Sequence, residues 1–468
     1  MTDSTPPSPD GRSSQELTAE QADATIRSKQ YVGLLVVVAV IGVIASLAAW
    51  CFLEGVHQIQ QELYTHLPNA LGYKSGPPKW WPLPILAIGA LITALAIKRL
   101  PGNGGHIPAE GLSVGGPSGP RVLPGVILAG LATIGFGLVL GPEAPLIALG
   151  GGLAALTISL ARRDTPPQAL MVVAAAGSFS ALSFIFTSPV IAAVILIEAT
   201  GLGGPKLRVM LVPGLLAAGI GTLVSIGIGS FTGLSTSAYA LGTLQLSAAP
   251  HLKAAEFGWT IAFAGVIGLV TSLVIRGGLF THRLVSRRYM LVLLPAIGLI
   301  IGGLAIAFSQ ITDRSINEVL FSGQDQLPGL VSQAGTWSLS ALTWLIVFKG
   351  IAYGLSLGSY RGGPTFPALF LGAAAGIMAS HLPGFPIQSG VAVGMGAAFV
   401  AVLRLPLSAV VLATLLASHA GANVEPLIIV GVVVSYIVTL LLARSAAPSP
   451  KPEPQPAPVP ELAPSAAR

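Results

Sequence analysis

The chain has 468 residues, of which 53% are hydrophobic and only 9% are charged. Its mean hydropathy of +0.79 excludes an ordinary soluble globular domain and predicts a multi-pass protein of a cell membrane. The net charge of +6 would also suit a nucleic-acid partner. None is predicted, because Lys and Arg in the cytoplasmic loops of a membrane protein account for the charge.

The counts of three residue types limit the function further. The one cysteine, Cys51, excludes an intramolecular disulfide and a metal site built from several cysteines, and neither a metal nor a cofactor is predicted. The 57 glycines and 37 prolines predict helices that are broken or re-entrant. No H-E-x-x-H or G-x-S-x-G motif occurs, so an enzyme is not predicted.

The chain begins with a polar segment, residues 1–30. Residues 1–14 are predicted to be disordered, and residues 15–29 to form a short surface helix. The apolar run at residues 31–53 predicts the first membrane helix, because it is too long and too far from the N-terminus for a cleaved signal peptide.

The next feature is a glycine-rich loop at residues 101–111, P-G-N-G-G-H-I-P-A-E-G. It follows an amphipathic stretch at residues 54–79, an interfacial Trp80-Trp81 pair and a predicted span at residues 82–97. A backbone this rich in glycine can direct several N–H groups at one anion. An ordinary loop between two helices is the alternative interpretation.

The most informative stretch is residues 141–150, G-P-E-A-P-L-I-A-L-G, the first cassette. Glu143 is the only charged residue between Arg121 and Arg162, and a carboxylate at the bilayer centre costs about 2.5–3.5 kcal/mol. Gly and Pro break the preceding helix, so a new helix is predicted to begin at Glu143. The unpaired N–H groups of its first turn can hold the carboxylate or an anion that replaces it.

The pattern G-P-x-x-P-x-x-x-L-G returns at residues 363–372, the second cassette, with Thr365 in place of the glutamate. Two interrupted apolar segments in corresponding halves predict an ion site near the bilayer midplane. Residues 169–200 are predicted to form two helices that are interrupted at 187–189, and residues 444–468 a disordered Pro/Ala-rich tail with no large soluble domain. The other predicted spans are 123–140, 143–160, 209–228, 259–275, 289–308, 339–357, 366–380, 391–402, 407–418 and 426–442.

Three motifs, in this order, resemble those of the CLC family of chloride channels and chloride/proton antiporters. The family's G-S-G-I-P resembles residues 104–108, its G-R-E-G-P resembles residues 141–145, and its G-G-x-F-x-P resembles residues 362–367 with the Phe one position later. The resemblance covers about residues 31–443 and is to prokaryotic members without a C-terminal regulatory domain.

The resemblance implies an all-α polytopic membrane protein of tilted and broken helices in two inverted-topology repeats, about residues 31–240 and 255–443. It also implies a homodimer in the lipid bilayer, with a path for chloride or a similar small anion in each subunit. Glu143 matches the gating glutamate, whose carboxylate occupies an anion site and leaves it when protonated. A structural acid at a helix start is the alternative.

The resemblance also implies which residues bind the anion, and the chain departs from the family there. Gly105 stands where the family usually has a serine, and His106 where it has a glycine. His106 either adds a cation at low pH or packs against backbone. Thr365 offers a hydroxyl or its N–H. The predicted anion-binding residues are Gly104, Gly105, His106, Ile107, Gly141, Thr365 and Phe366.

Proton coupling depends on a second acid. The family's antiporters carry a proton-transfer glutamate as the second of a Glu pair, where this chain has Ala199. Glu198 matches the first, usually structural member and remains a candidate for a proton pathway. The family's anion-binding tyrosine has no match, since Tyr436 lies inside the last span. These departures slightly favour uncoupled anion flow. The alternatives are chloride/proton antiport and, less favoured, a cation-coupled transporter of a small solute.

Overall fold

The computed structural model describes residues 19–74, 76–112, 119–161, 165–201, 204–232, 240–285 and 288–444. The predicted disorder at residues 1–14 and all of the predicted tail beyond 444 lie outside these ranges. Within them the chain is helical and no β-strand is assigned. One isolated antiparallel bridge joins Gly141 to Gly363.

The described residues of the first half form nine α-helices, which are α1 (Ala19–Ile26), α2 (Lys29–Gln61), α3 (Leu67–Ala70), α4 (Pro82–Arg99), α5 (Leu123–Gly135), α6 (Glu143–Ala161), α7 (Pro167–Phe186), α8 (Pro189–Thr200) and α9 (Gly204–Thr232). The second half contains α10 (Ala254–Leu284), α11 (Met290–Thr312), α12 (Leu327–Ser332), α13 (Leu339–Ser359), α14 (Thr365–Ala379), α15 (Ile387–Leu403), α16 (Pro406–Leu416) and α17 (Glu425–Arg444). Nine helical segments of the described ranges are long and apolar enough to cross a membrane, so the predicted all-α, multi-pass fold is confirmed.

The first membrane helix is longer than predicted. Instead of ending near residue 53, α2 continues to Gln61 and passes through a π-helical turn into α3. Its polar end keeps the helical spacing, because Gln58 Nε2 donates to Glu54 Oε1 at 2.6 Å and His66 Nδ1 lies 2.9 Å from Glu62 Oε1. Such i,i+4 pairs stabilise an exposed helix without an apolar face.

Each half contains a pair of helices that is interrupted at the corresponding position. Thr187 between α7 and α8 has a φ of 48°, and Arg404 between α15 and α16 has a φ of 58°. Each left-handed residue stands two positions before a proline that begins the second helix. The interruption predicted at 187–189 is confirmed. The cause is local, because a left-handed residue ends a helix and proline is favoured at the start of the next one.

Glycines hold each cassette helix against the helix that follows it. A Cβ at Gly150 in α6 would overlap the carbonyl of Gly177 in α7, and a Cβ at Gly372 in α14 would overlap the carbonyl of Gly394 in α15. Small residues at such crossings let two backbones approach closely within a membrane. The last glycine of each cassette therefore fixes the orientation of the helix that the cassette begins.

Candidate anion site

The two cassettes meet through their backbones. Gly141 N–H donates to Gly363 O at 2.7 Å, and Gly363 N–H donates to Gly141 O at 2.5 Å. The pairing is antiparallel, as two inverted copies of one segment require. A Cβ on either glycine would overlap the carboxyl group of Glu143, so a side chain at either position would displace that group.

Glu143 begins α6, and its side chain reaches across to the start of α14. The residue is only 1% exposed. Its Oε1 accepts a hydrogen bond from Thr365 N–H. The N–H groups of Glu143 and Phe366 and the hydroxyl of Thr365 also lie near the carboxyl group. The positive ends of two helices therefore converge on one carboxylate, in the arrangement that binds a free anion.

The second oxygen of the same carboxyl group is not satisfied. Glu143 Oε2 is buried and has no hydrogen-bond partner. A buried acceptor without a partner costs about 1–3 kcal/mol, and more when it is charged. The carboxylate therefore occupies the site with only part of the bonding that a permanent structural acid would have. We call the group formed by Gly141, Glu143, Gly363, Thr365 and Phe366 the cradle.

Two aromatic residues support the α14 side of the cradle. Tyr353 in α13 donates its hydroxyl hydrogen to Pro364 O at 2.6 Å, which fixes the peptide just before Thr365. The Phe366 ring stacks on Phe186 at the end of α7, with 5.4 Å between the ring centroids. Both contacts hold the first turn of α14 in place, so its N–H groups face the carboxylate in a fixed geometry.

The glycine-rich loop forms a second backbone surface. Gly102, Asn103, Gly104 and Gly105 all have positive φ values. The Gly105 N–H is already used, because it donates to Gly102 O at 2.9 Å. An anion contact of the Gly105 N–H would have to replace or share this bond, and the role of Gly105 in anion binding stays a prediction. In the described ranges, the N–H groups of His106 and Ile107 have no protein acceptor.

A cavity of about 530 Å³ lies between this loop, the first cassette and the two residues that precede the second cassette. The loop contributes Gly104, Gly105 and His106, and the first cassette contributes Ala144 and Pro145. Arg361 and Gly362 come from the backbone just before the second cassette. His106 Nε2 is buried and has no hydrogen-bond partner. The three sequence motifs thus surround one volume, although Gly141, Thr365 and Phe366 are not in its lining and belong to the cradle itself.

Glu198 has a different environment. Its Oε1 accepts from Leu407 N–H at 2.9 Å, and its Oε2 accepts from Ser408 N–H at 2.7 Å and from Ser408 Oγ–H at 2.6 Å. Both oxygens therefore cap the start of α16, which is a structural task. Glu198 does not line the cavity, whereas Ala199 and Thr200 do. Its role in proton transfer stays a prediction.

Two buried cations were not among the residues predicted from the sequence. Lys349 in α13 is 0% exposed, and its Nζ donates to the carbonyls of residues 318, 319, 320 and 321 at 2.9–3.3 Å. Arg361 is 6% exposed and lies two residues before the second cassette. Either could have been found by the signal that identified Glu143, since each is a lone charge in a long apolar stretch.

Comparison with known proteins agrees with this architecture. A family model described as voltage gated chloride channel matches residues 89–440. YfeO of Escherichia coli O7:K1 strain IAI39, named as an ion-transport protein, is 28% identical over 360 residues, which cover 74% of this chain and 79% of YfeO. YfeO of Escherichia fergusonii has the same identity and coverage.

Solved structures confirm the fold. A slow cyanobacterial Cl⁻/H⁺ antiporter superposes with a TM-score of 0.70 at 19% identity, over 87% of this chain and 94% of that one. A CLC-type fluoride/proton antiporter superposes with a TM-score of 0.59 at 17% identity, over 87% of this chain and 95% of that one. Because the family model spans most of the membrane part, including both cassettes, the chain belongs to the voltage gated chloride channel family.

Proposed function

We propose that this protein exchanges a small monovalent anion such as chloride for protons, with Glu143 as the gate. The observation that carries the proposal is the position of the Glu143 carboxylate on the N–H groups at the start of α14. A carboxylate and a chloride ion are attracted by the same helix ends. They therefore compete for one place.

Competition couples anion movement to protonation. An anion can enter the cradle only when the carboxylate has left it. A charged carboxylate that leaves loses the N–H groups of the helix starts, whereas the neutral acid loses less, so we expect the side chain to leave as the neutral acid. Glu143 Oε2, which has no partner in the cradle, is the atom we expect to take the proton.

Two observations bear on whether protons cross the whole protein. Ala199 in place of a second glutamate favours uncoupled flow. In contrast, the two solved structures described above are an antiporter for chloride and one for fluoride, which favours exchange. His106 lines the cavity and has a ring nitrogen without a hydrogen-bond partner. We therefore assign to His106 the proton-transfer role of the missing second glutamate. The homodimer remains a prediction.

The proposal is tested with purified protein in liposomes. An outward chloride gradient at zero membrane potential should drive protons into the liposomes against their own gradient. Chloride efflux without proton movement would exclude exchange and indicate uncoupled anion flow. Flux that requires a sodium gradient and ignores chloride would instead indicate a cation-coupled transporter.

A further inference from the structure

We propose that Arg361 is an anion-binding residue, whose guanidinium provides a fixed positive site in the cavity beside the cradle. The inference rests on the proposed anion transport and adds a second binding position to it. The class of ligand is a small monovalent anion, either a halide or a planar oxyanion such as nitrate.

The backbone around Arg361 holds its side chain in one place. Nε donates to Asn103 O at 3.1 Å, and Nη1 donates to Tyr360 O at 3.0 Å. The aliphatic part packs on the glycine-rich loop, because a Cβ at Gly104 would lie 3.3 Å from Arg361 Cγ. The guanidinium is therefore anchored between the loop and the second cassette.

Anchoring leaves some of the guanidinium donors unused. A guanidinium has five N–H donors, and the two carbonyls account for two of them. The residue lines the cavity together with Gly105 and His106. An anion in the cavity would therefore lie beside a residue that has unused donors.

The charge of Arg361 also lacks a counter-ion. Within the described ranges no carboxylate lies within 4.0 Å of it, the ion pairs being His66–Glu62 and Arg208–Asp23. Glu110 is the acid that acts on Arg361 electrostatically, from beyond ion-pair distance. A buried cation without a partner is strongly disfavoured. A transported anion would supply the missing charge.

Lys349 provides the contrast within the same apolar stretch. It is also buried without a carboxylate, but four backbone carbonyls lie within 3.3 Å of its Nζ. Its three donors are all used, and it lines neither the cavity nor the cradle. Lys349 is therefore structural, whereas Arg361 combines a fixed position with free donors and an open volume.

A purely structural role for Arg361, which would pin the loop through Asn103, is the competing explanation. The two roles differ in what a substitution changes. Loss of an anion-binding charge raises the chloride concentration that gives half-maximal flux. Loss of an anchor lowers the amount of folded protein or the maximal rate, without weakening the dependence on chloride.

The test uses the full chain in liposomes with Arg361→Gln and Arg361→Lys. The control is Arg276→Gln, which removes an exposed guanidinium that donates to Leu442 O. We expect Arg361→Gln to raise the KM for chloride about tenfold, as the loss of one charge-assisted hydrogen bond predicts. Arg361→Lys should raise it less and lower the nitrate-to-chloride flux ratio, because an ammonium cannot bind a planar oxyanion through two parallel bonds.

A folded Arg361→Gln variant with an unchanged KM would overturn the assignment. If that variant does not fold, crystals of the unaltered protein soaked in bromide decide the matter. Anomalous density within hydrogen-bonding distance of the guanidinium supports the site, and its absence at saturating bromide contradicts it. The proposed function fails separately, if the unaltered protein transports no anion at all.

Discussion

Glu143 and Glu198 are both acids of the first half that bind the start of a helix of the second half. Glu198 accepts three hydrogen bonds and uses both oxygens. Glu143 Oε1 accepts from Thr365 N–H, and further donors of α6 and α14 lie near the carboxyl group, but its Oε2 is buried without a hydrogen-bond partner. A carboxylate with both oxygens hydrogen-bonded loses more bonds when it leaves its helix end than one with an oxygen that has no partner. The difference in bonding separates a cap from the proposed gate.

The largest effect is expected from Glu143→Gln. A neutral amide cannot carry a proton, so proton flux should fall by at least about tenfold and the pH dependence of anion flux should disappear. Both are measured in liposomes with a pH-sensitive dye and a chloride electrode. Glu256→Gln is the matched control, because Glu256 is equally buried and bonds Lys253 N–H and Ser389 Oγ–H. If anion flux has the same pH dependence in the Glu143→Gln variant and in the unaltered protein, Glu143 is not the gate.

The next effect is expected from Gly363→Ala. The added methyl group would occupy the space of the Glu143 carboxyl group, so the cradle can no longer hold it or an anion of similar size. Anion flux should fall by about tenfold, together with a loss of stability of about 1–3 kcal/mol from overpacking. Gly265→Ala, where a Cβ meets nothing within 4 Å, should leave flux unchanged. Normal flux through the Gly363→Ala variant would place the anion path elsewhere.

A smaller and different effect is expected from Glu198→Ala. Leu407 N–H and the Ser408 donors lose their acceptor, which should lower the free energy of unfolding by about 1–3 kcal/mol. The midpoint of thermal unfolding in detergent should fall while proton flux per folded protein persists. If proton flux is lost and the midpoint is kept, Glu198 transfers protons and the contrast between the two acids no longer holds.

The smallest effect is expected from Tyr353→Phe. It removes one hydrogen bond, to Pro364 O, with an expected cost of about 0.5–1.5 kcal/mol. The KM for chloride should rise slightly, because the peptide before Thr365 is then less firmly held. Titration of chloride flux against concentration measures this. A KM that falls would mean that the hydroxyl opposes anion binding.

Local rules predicted the helices and the cassettes well. Proline marks the interruption at Thr187-Ser188-Pro189, and a single charge in an apolar run marks Glu143. The predicted end of the first membrane helix was wrong. Hydropathy does not register the i,i+4 pairs that extend a polar helix beyond the apolar run.

Partners that are distant in the chain were outside the reach of such rules. Glu198 and Ser408 are 210 residues apart, and nothing in the sequence of either segment indicates that they are in contact. For Arg361, the isolated charge could be read from the sequence, but its contacts could not. The carbonyls of Asn103 and Tyr360 and the open cavity decide its chemistry, and these are set by tertiary packing.

The reciprocal bonds between Gly141 and Gly363 have a consequence for biogenesis. A nascent chain that ends before Gly363 can insert α6 but has no second helix end for Glu143. Until the second half arrives, the acid lies in lipid or at the translocation pore, where its charged form costs about 2.5–3.5 kcal/mol. We therefore expect Glu143 to enter the membrane as the neutral acid. It would acquire its charge only when the two halves join, so that a competent anion site marks completed assembly.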